Sequence, residues 1–166
     1  VVKVPAGHVL LATGSKPFRL GSIPFDGVRI FDNDTINNLA FLPKSAVIVG
    51  GGIIAIEYAR IFRKLGADVS LIIREESAAY ALDRMGMDKD VARLLVNSMI
   101  KEGIKVYPNA TIDKFTKVPR HLEEPVEMTM ISSARDQEIP AGMNKISSTD
   151  PSESIYGGSI KADIYL

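Results

Sequence analysis

The chain has 166 residues, enough for one domain or slightly more with a core of its own. Lysine plus arginine and aspartate plus glutamate both number 20, so no charge imbalance directs it to nucleic acid or to an anionic membrane. No apolar run reaches the length of a bilayer span, no signal peptide opens the chain, and neither His8 nor His121 has a second histidine or a cysteine at metal-ligand spacing; the expectation is a soluble protein, or a piece of one, without a metal.

A piece is the better reading, since the chain opens without Met in Val1-Val-Lys-Val4 and stops inside an apolar run, Ile160-Lys-Ala-Asp-Ile-Tyr-Leu166. In a piece, the absence of cysteine carries no information about redox compartment. Val9-Leu-Leu-Ala-Thr-Gly-Ser-Lys-Pro17 predicts a buried strand ending in a small-residue turn, with Pro17 forcing an extended exit. A polar stretch with Gly21, Pro24 and Gly27 reads as a connector between domains. Phe31-Asp-Asn-Asp-Thr-Ile-Asn-Asn-Leu39 predicts a short helix capped by Asp32 or Asp34, and Pro43 precedes the next strand.

Ser45-Ala-Val-Ile-Val-Gly-Gly-Gly-Ile-Ile-Ala-Ile-Glu-Tyr58 is an apolar strand that breaks into glycines and re-emerges as a helix. Gly50, Gly52 and Ala55 spell G-x-G-x-x-A, a dinucleotide-binding fingerprint. Gly50 permits the sharp turn, Gly52 carries no Cβ to bar a pyrophosphate, and Ala55 lets the helix approach the sheet. The free N–H groups of the first helical turn, from Gly51 through Ile53 and Ile54, face the phosphates. Apolar positions 54, 58, 61, 62 and 65 predict the buried face, with Arg60, Arg63 and Lys64 opposite, and Gly66 ends the helix.

A second strand, Ala67 to Ile73, ends about twenty residues past the glycines, where a Rossmann domain reads the adenosine ribose. An acid at that point accepts from the 2′-hydroxyl of NAD and repels a 2′-phosphate; here the residue is Ile73, followed by Arg74. Arg74 is either a reader of the 2′-phosphate of NADP or a solvated arginine in a charged loop with Glu75 and Glu76. Asp88 caps a further helix with Val91, Leu94, Leu95 and Met99 as its apolar face and Gly103 as its stop. Ile104 to Tyr107 predicts a third parallel strand, and Thr111 to Val118 with Val126 to Ser132 an antiparallel meander. The polar segment 134–158 predicts a long loop, either an insertion at a hairpin tip or a partner-binding loop. The fold class is therefore α/β: a Rossmann-like parallel sheet with flanking helices and an antiparallel β-meander.

Ala12-Thr13-Gly14 before a proline, the acidic Asp32-Asn33-Asp34 turn, and the glycine motif followed closely by Glu57 together resemble the pyridine nucleotide-disulfide oxidoreductases, a family that includes glutathione reductase, lipoamide dehydrogenase and soluble pyridine nucleotide transhydrogenase. Phe31 to Ile36 and Glu57-Tyr58-Ala59-x-Ile61-Phe62 are most similar to the transhydrogenase branch. The resemblance implies that residues 1–40 are the edge of an FAD-binding domain and a connector, and that 41–166 are the NAD(P)-binding Rossmann domain. It implies FAD in the full-length protein, held partly by Thr13 and Gly14, and a nicotinamide dinucleotide held by Gly50 to Ala55 with Ile73 and Arg74. NADP(H) is the expected preference, with NAD(H) still accepted, although Tyr80 stands where such NADP-binding members usually carry a second arginine. Ile53 falls where some reductases carry a flavin-shielding tyrosine, and Glu57 where the family has a carboxylate near the flavin, unless it is only a helix-surface acid. The implied partners are the FAD domain of the same chain and a second copy in a homodimer, with no nucleic acid or membrane, in the cytoplasm or mitochondrion. The implied reaction is hydride transfer from nicotinamide to flavin and on to a second nicotinamide nucleotide. A disulfide reductase, distinguished by a cysteine pair preceding Val1, and a non-catalytic nucleotide-binding module are the alternatives. The isolated chain is expected to turn nothing over.

Overall fold

A computed structural model describes residues 2–119, 121–132 and 156–166, with the side chains of 156–159 excluded. A 3-10 turn, Thr35–Asn38, precedes β1 (Ser45–Val49), α1 (Ile53–Lys64), β2 (Asp68–Ile72), α2 (Ala78–Asp83), α3 (Lys89–Lys101), β3 (Lys105–Tyr107), β4 (Ala110–Lys117), β5 (Val126–Ser132), β6 (Tyr156–Ala162) and β7 (Ile164–Tyr165). Strands β3-β2-β1-β7 form a parallel sheet, and β4-β5-β6 an antiparallel one.

Alternation along β1 and β2 divides the core. Ala46, Ile48, Val69 and Leu71 pack with the helices, whereas Val47 and Ile72 pack with Tyr165, Val126, Met128 and Met130 on the meander side. A parallel sheet covered on both faces needs apolar residues at every position, which explains the unbroken runs Ala46–Val49 and Leu71–Ile73. The expected meander is present, and β6 completes it by pairing Val126 with Ala162.

The helices bury faces other than those expected. On α1 the buried residues are Ile56, Ala59 and Phe62, while Ile54, Ile61 and Leu65 are about half exposed. On α3 they are Ala92, Val96 and Met99, while Val91 and Leu94 face outward. In both helices a small alanine, Ala59 or Ala92, is fully buried, and alanine counts for little in a search for large apolar residues. Arg60 and Arg63 are not simply solvated: Arg60 Nη2 donates to Glu102 Oε1 (2.9 Å) and Arg63 Nε to Glu102 O (2.6 Å), tying α1 to the end of α3.

Val9 to Pro17 is neither a strand nor buried, and Leu10 is 90% exposed. A strand exists only with a hydrogen-bonded neighbour, and none of the described strands pairs with this arm. The connector does dock on the sheet, where Ile30 bridges Tyr165 in parallel. Most of the predicted loop 134–158 lies outside the described residues, but Tyr156 to Gly158 open β6. A helix not expected, α2, is capped by Ser77 Oγ accepting from Tyr80 N–H (3.0 Å).

Asp32 organises the 3-10 turn. Its Oδ1 accepts from the N–H groups of Asp34 and Thr35 and from the Thr35 hydroxyl, and Arg19 pairs with Oδ2. The Thr35 backbone bond is the largest influence on its acidity; burial opposes it, Arg19 reinforces it, and the carboxyl is lowered from 3.8 to about 2. A depressed folded-state pKa gives stability that is complete above about pH 4 and is lost as pH falls through about 2. With Arg19 half exposed, we expect roughly 1 to 2 kcal/mol of acid-labile stability that Asp32→Asn lacks. Urea titrations of both proteins between these pH values check it; parallel acid losses refute the assignment.

Candidate functional site

The C-terminal ends of parallel strands are where open α/β sheets bind ligands, because the strand-to-helix turns there leave backbone N–H groups unpaired. Here β1 ends at Val49, and Gly50 leaves it with φ +139°, a conformation that a side chain resists. Gly50 N–H still donates to Ile72 O (2.9 Å), so the turn starts from a fixed point beside β2. A Cβ on Gly50 would stand 3.6 Å from the Ala55 methyl, which places the helix close against the turn.

Gly51 is the tightest position of the three. A Cβ there would fall 2.7 Å from Ala81 Cβ and 2.9 Å from Ile73 Cγ2, so the end of β2 and helix α2 both close on this residue. Gly52 is more open: it caps α1 with its backbone alone, among the described residues no side chain accepts from the first-turn N–H groups, and an added Cβ would meet only the Met85 thioether, at 3.4 Å from Cε. Ile53 and Ile54 follow, each about half exposed at the helix start. At Gly52 the turn is open apart from the flexible Met85, while Ala81, Ile73 and the Glu75 carboxylate close on Gly51; the first-turn donors beside Gly52 suit a phosphate group.

Beside the cradle lies a cavity of about 350 Å³. Gly52, Ile54 and Ala55 form one wall, Val49 and Leu166 its base at the ends of β1 and β7, and Phe18, Phe25 and Phe115 much of the remainder. Its polar groups are few. Asp32 is committed to the 3-10 turn, and the Tyr165 hydroxyl donates toward Val126 O (3.1 Å) and Ile160 O (3.0 Å), with burial pushing its pKa up. The space accommodates a flat, largely apolar ring system next to a phosphate cradle.

The expected site residues fall into two groups. Gly50, Gly51, Gly52, Ile53, Ile54, Ala55 and Ile73 converge at the turn, and Ile73 is fully buried against Gly51. Arg74 is directed outward, 81% exposed, and its Nε contacts Glu75 Oε1 at 3.2 Å. Glu57 is exposed on α1 and does not line the cavity, and Thr13 and Gly14 lie on the exposed arm. Sequence reasoning missed Glu75, Ala81 and Met85, all of which approach the glycine turn. A capping serine followed by Ala-Ala-Tyr-Ala-Leu was the available signal for α2, but nothing local shows that this helix covers Gly51. Apolar Phe18, Ile23 and Phe25 in the connector were likewise the signal for the cavity wall.

The family model described as pyridine nucleotide-disulphide oxidoreductase matches residues 2–143. Among curated relatives, the chain is 39% identical over 111 residues to a dihydrolipoyl dehydrogenase of Bacillus subtilis, which covers 66% of this chain and 23% of the relative. It is 43% identical over 83 residues to a soluble pyridine nucleotide transhydrogenase of Colwellia psychrerythraea, covering 50% of this chain and 18% of that protein. The chain thus spans less than a quarter of the length of these relatives. Among solved structures, the HOCl-induced flavoprotein disulfide reductase of Escherichia coli superposes with a TM-score of 0.63 at 18% identity over 93% of this chain and 28% of its own, a likeness of fold. With a glycine turn between β1 and α1 and a family match over most of its length, the chain belongs to the pyridine nucleotide-disulphide oxidoreductase family.

Proposed function

We propose that the chain is the nicotinamide dinucleotide-binding domain of a longer FAD-dependent oxidoreductase, most closely a soluble NAD(P) transhydrogenase. The observation that carries this reading is the Gly50–Gly52 turn with its uncapped helix N-terminus, set directly beside the apolar cavity at the ends of β1 and β7. Gly50 to Ala55 hold the pyrophosphate, the cavity receives a planar ring, and Ile73 with Arg74 lie where the adenosine ribose would sit. FAD, when bound, supplies the hydride acceptor. Thr13 and Gly14 belong to the edge of its domain, which accounts for the exposed apolar arm at Val9, Leu10 and Leu11. Residues 1–40 are then that edge and a connector, and 41–166 the nucleotide domain. Glu57 is the carboxylate that approaches the flavin from α1. The full-length protein pairs as a homodimer.

The match of the dihydrolipoyl dehydrogenase over 111 residues supports a second reading, a disulfide reductase, which differs by a cysteine pair in the part that precedes this chain.

NADP(H) is favoured through Arg74, and NAD(H) binds as well. In titration calorimetry the chain should take up both nucleotides, NADPH more tightly by a factor of about ten or less. Failure to bind either removes the reading. Flavin absorbance in the full-length protein separates an oxidoreductase from a non-catalytic binding module.

A further inference from the structure

Helix α2 closes on a glycine, and the closure brings one side chain to the start of α1. Gly86, at φ +90°, lets its own N–H donate to Asp83 O (2.9 Å) and the Met87 N–H to Leu82 O (3.2 Å), the paired bonds that satisfy the last carbonyls of a helix. Met85 lies inside this closure and donates its N–H to Leu82 O (3.0 Å), so its backbone is held while its side chain can move. That side chain reaches Gly52, the N-cap of α1: Cε and Sδ lie 3.4 and 3.9 Å from where a Cβ on Gly52 would stand. Met85 is nevertheless 55% exposed. Met99, Met128 and Met130 are buried in the two cores, and Met87 is partly buried against one of them. Among the described methionines, Met85 alone joins exposure to contact with the glycine turn.

We propose that Met85 is an oxidation site that regulates nucleotide binding at this turn: its thioether leaves the first-turn N–H groups of α1 open, and its sulfoxide occupies them. The proposal rests on the dinucleotide-binding reading above and adds its regulation. The oxidant is a peroxide. The sulfur lone pair attacks one peroxide oxygen, the O–O bond breaks and an S–O bond forms, so sulfur gives up two electrons and the peroxide is reduced. The proton on the transferred oxygen passes to the departing hydroxide, which leaves as water. A thioether is a weak acceptor, whereas a sulfoxide is polar. From its place against Gly52, the new oxygen brings the negative end of a dipole to the positive end of α1. There it takes N–H groups that a pyrophosphate needs and repels the phosphate charge. NADH and NADPH share the pyrophosphate, so oxidation weakens both alike. Reduction of the sulfoxide by sulfoxide reductases reverses the change.

Treatment of the 166-residue chain with hydrogen peroxide, followed by peptide mass spectrometry, should add one oxygen to Met85 before Met99, Met128 or Met130. In titration calorimetry the oxidised chain should bind NADH and NADPH each about tenfold more weakly than the untreated chain, with an unchanged melting temperature. Without nucleotide, amide exchange at Ile53 and Ile54 should slow on oxidation, because their N–H groups gain an acceptor. Met85→Leu keeps an apolar side chain of similar size and has no sulfur at this position, so its affinities should change by less than about twofold on the same treatment. Complete oxidation of Met85 with less than about a twofold loss in the parent overturns the proposal, as does an equal loss in Met85→Leu or oxidation of the buried methionines ahead of Met85. If the untreated chain binds both nucleotides and oxidation at Met85 leaves them unchanged, this proposal falls alone. If the untreated chain binds neither, the dinucleotide-binding reading falls and this proposal with it.

Discussion

A Gly52→Val chain is expected to fold with nearly unchanged stability and to bind neither NADH nor NADPH. The two halves of this expectation come from different observations. Stability is preserved because Gly52 has φ −82° and ψ 170°, a backbone conformation open to any residue, and because an added Cβ meets only the end of the flexible Met85 side chain at 3.4 Å. Binding is lost because a branched side chain would stand on the floor of the cradle, in front of the first-turn N–H groups of α1 that no side chain caps. Loss of pyrophosphate contact corresponds to a weakening on the order of a hundredfold or more. Thermal melting and calorimetry on the same sample decide the matter. Retained affinity in a folded variant would place the nucleotide away from the glycine turn.

The second large effect is on stability, and no site chemistry is involved. Arg29 is 1% exposed, an uncommon place for a guanidinium. It is held by three carbonyls from distant segments: Nε donates to Asp163 O (2.6 Å), Nη1 to His121 O (2.8 Å) and Nη2 to Glu124 O (2.8 Å). Its own carbonyl accepts from Tyr165 N–H (2.8 Å). The side chain therefore fastens the connector to the loop before β5 and to the β6–β7 junction, where Asp163 in turn accepts from Lys44 and Ser45 N–H. Arg29→Ala leaves three carbonyls without this donor and a void where the guanidinium lay. The expected loss is about 3 to 5 kcal/mol, a large part of a domain's usual stability. Arg29→Lys should recover only a minority of it, since a point charge with a shorter reach does not reproduce a planar fork directed at three acceptors. Urea unfolding measures both; an alanine cost below about 1 kcal/mol would mean that water substitutes for the side chain.

Much of this architecture is legible in the residues because the responsible forces are short-ranged. Asp88 was readable as a cap, and Asp32 as one of two candidates with Asp34, because a side-chain oxygen reaches N–H groups only two or three residues away; the structure gives the bond to Asp32. The strand, glycine turn and helix at 45–64 were readable for the same reason, as were the helix stops at Gly66 and Gly103 and the antiparallel pairing of β4 with β5. The fold class and the family follow from these local signals in their order.

Which surfaces are covered depended on the tertiary structure. Val9, Leu10 and Leu11 have the composition of a buried strand, yet burial needs a neighbour, and in this chain none is present among the described residues. The apolar residues of α1 permit more than one inward face, and packing in the folded chain buries Ile56, Ala59 and Phe62. The same holds at the candidate site. Gly50, Gly51 and Gly52 were recognisable as a strand-to-helix turn from their spacing alone, but that Gly51 is closed by Ala81, that Met85 lies near Gly52, and that Glu75 turns inward while Arg74 turns out are tertiary facts, and the backbone bonds from Asn109 and Ala110 hold the loop at Ile73 and Glu75. Those donors lie more than thirty residues farther along the chain, on the turn after β3. Local pattern therefore determined the strand, glycine turn and helix, and a long-range hydrogen-bond pair fixes the loop backbone from which Arg74 and Glu75 leave in opposite directions, because a loop side chain takes its direction from whatever fixes the loop's backbone.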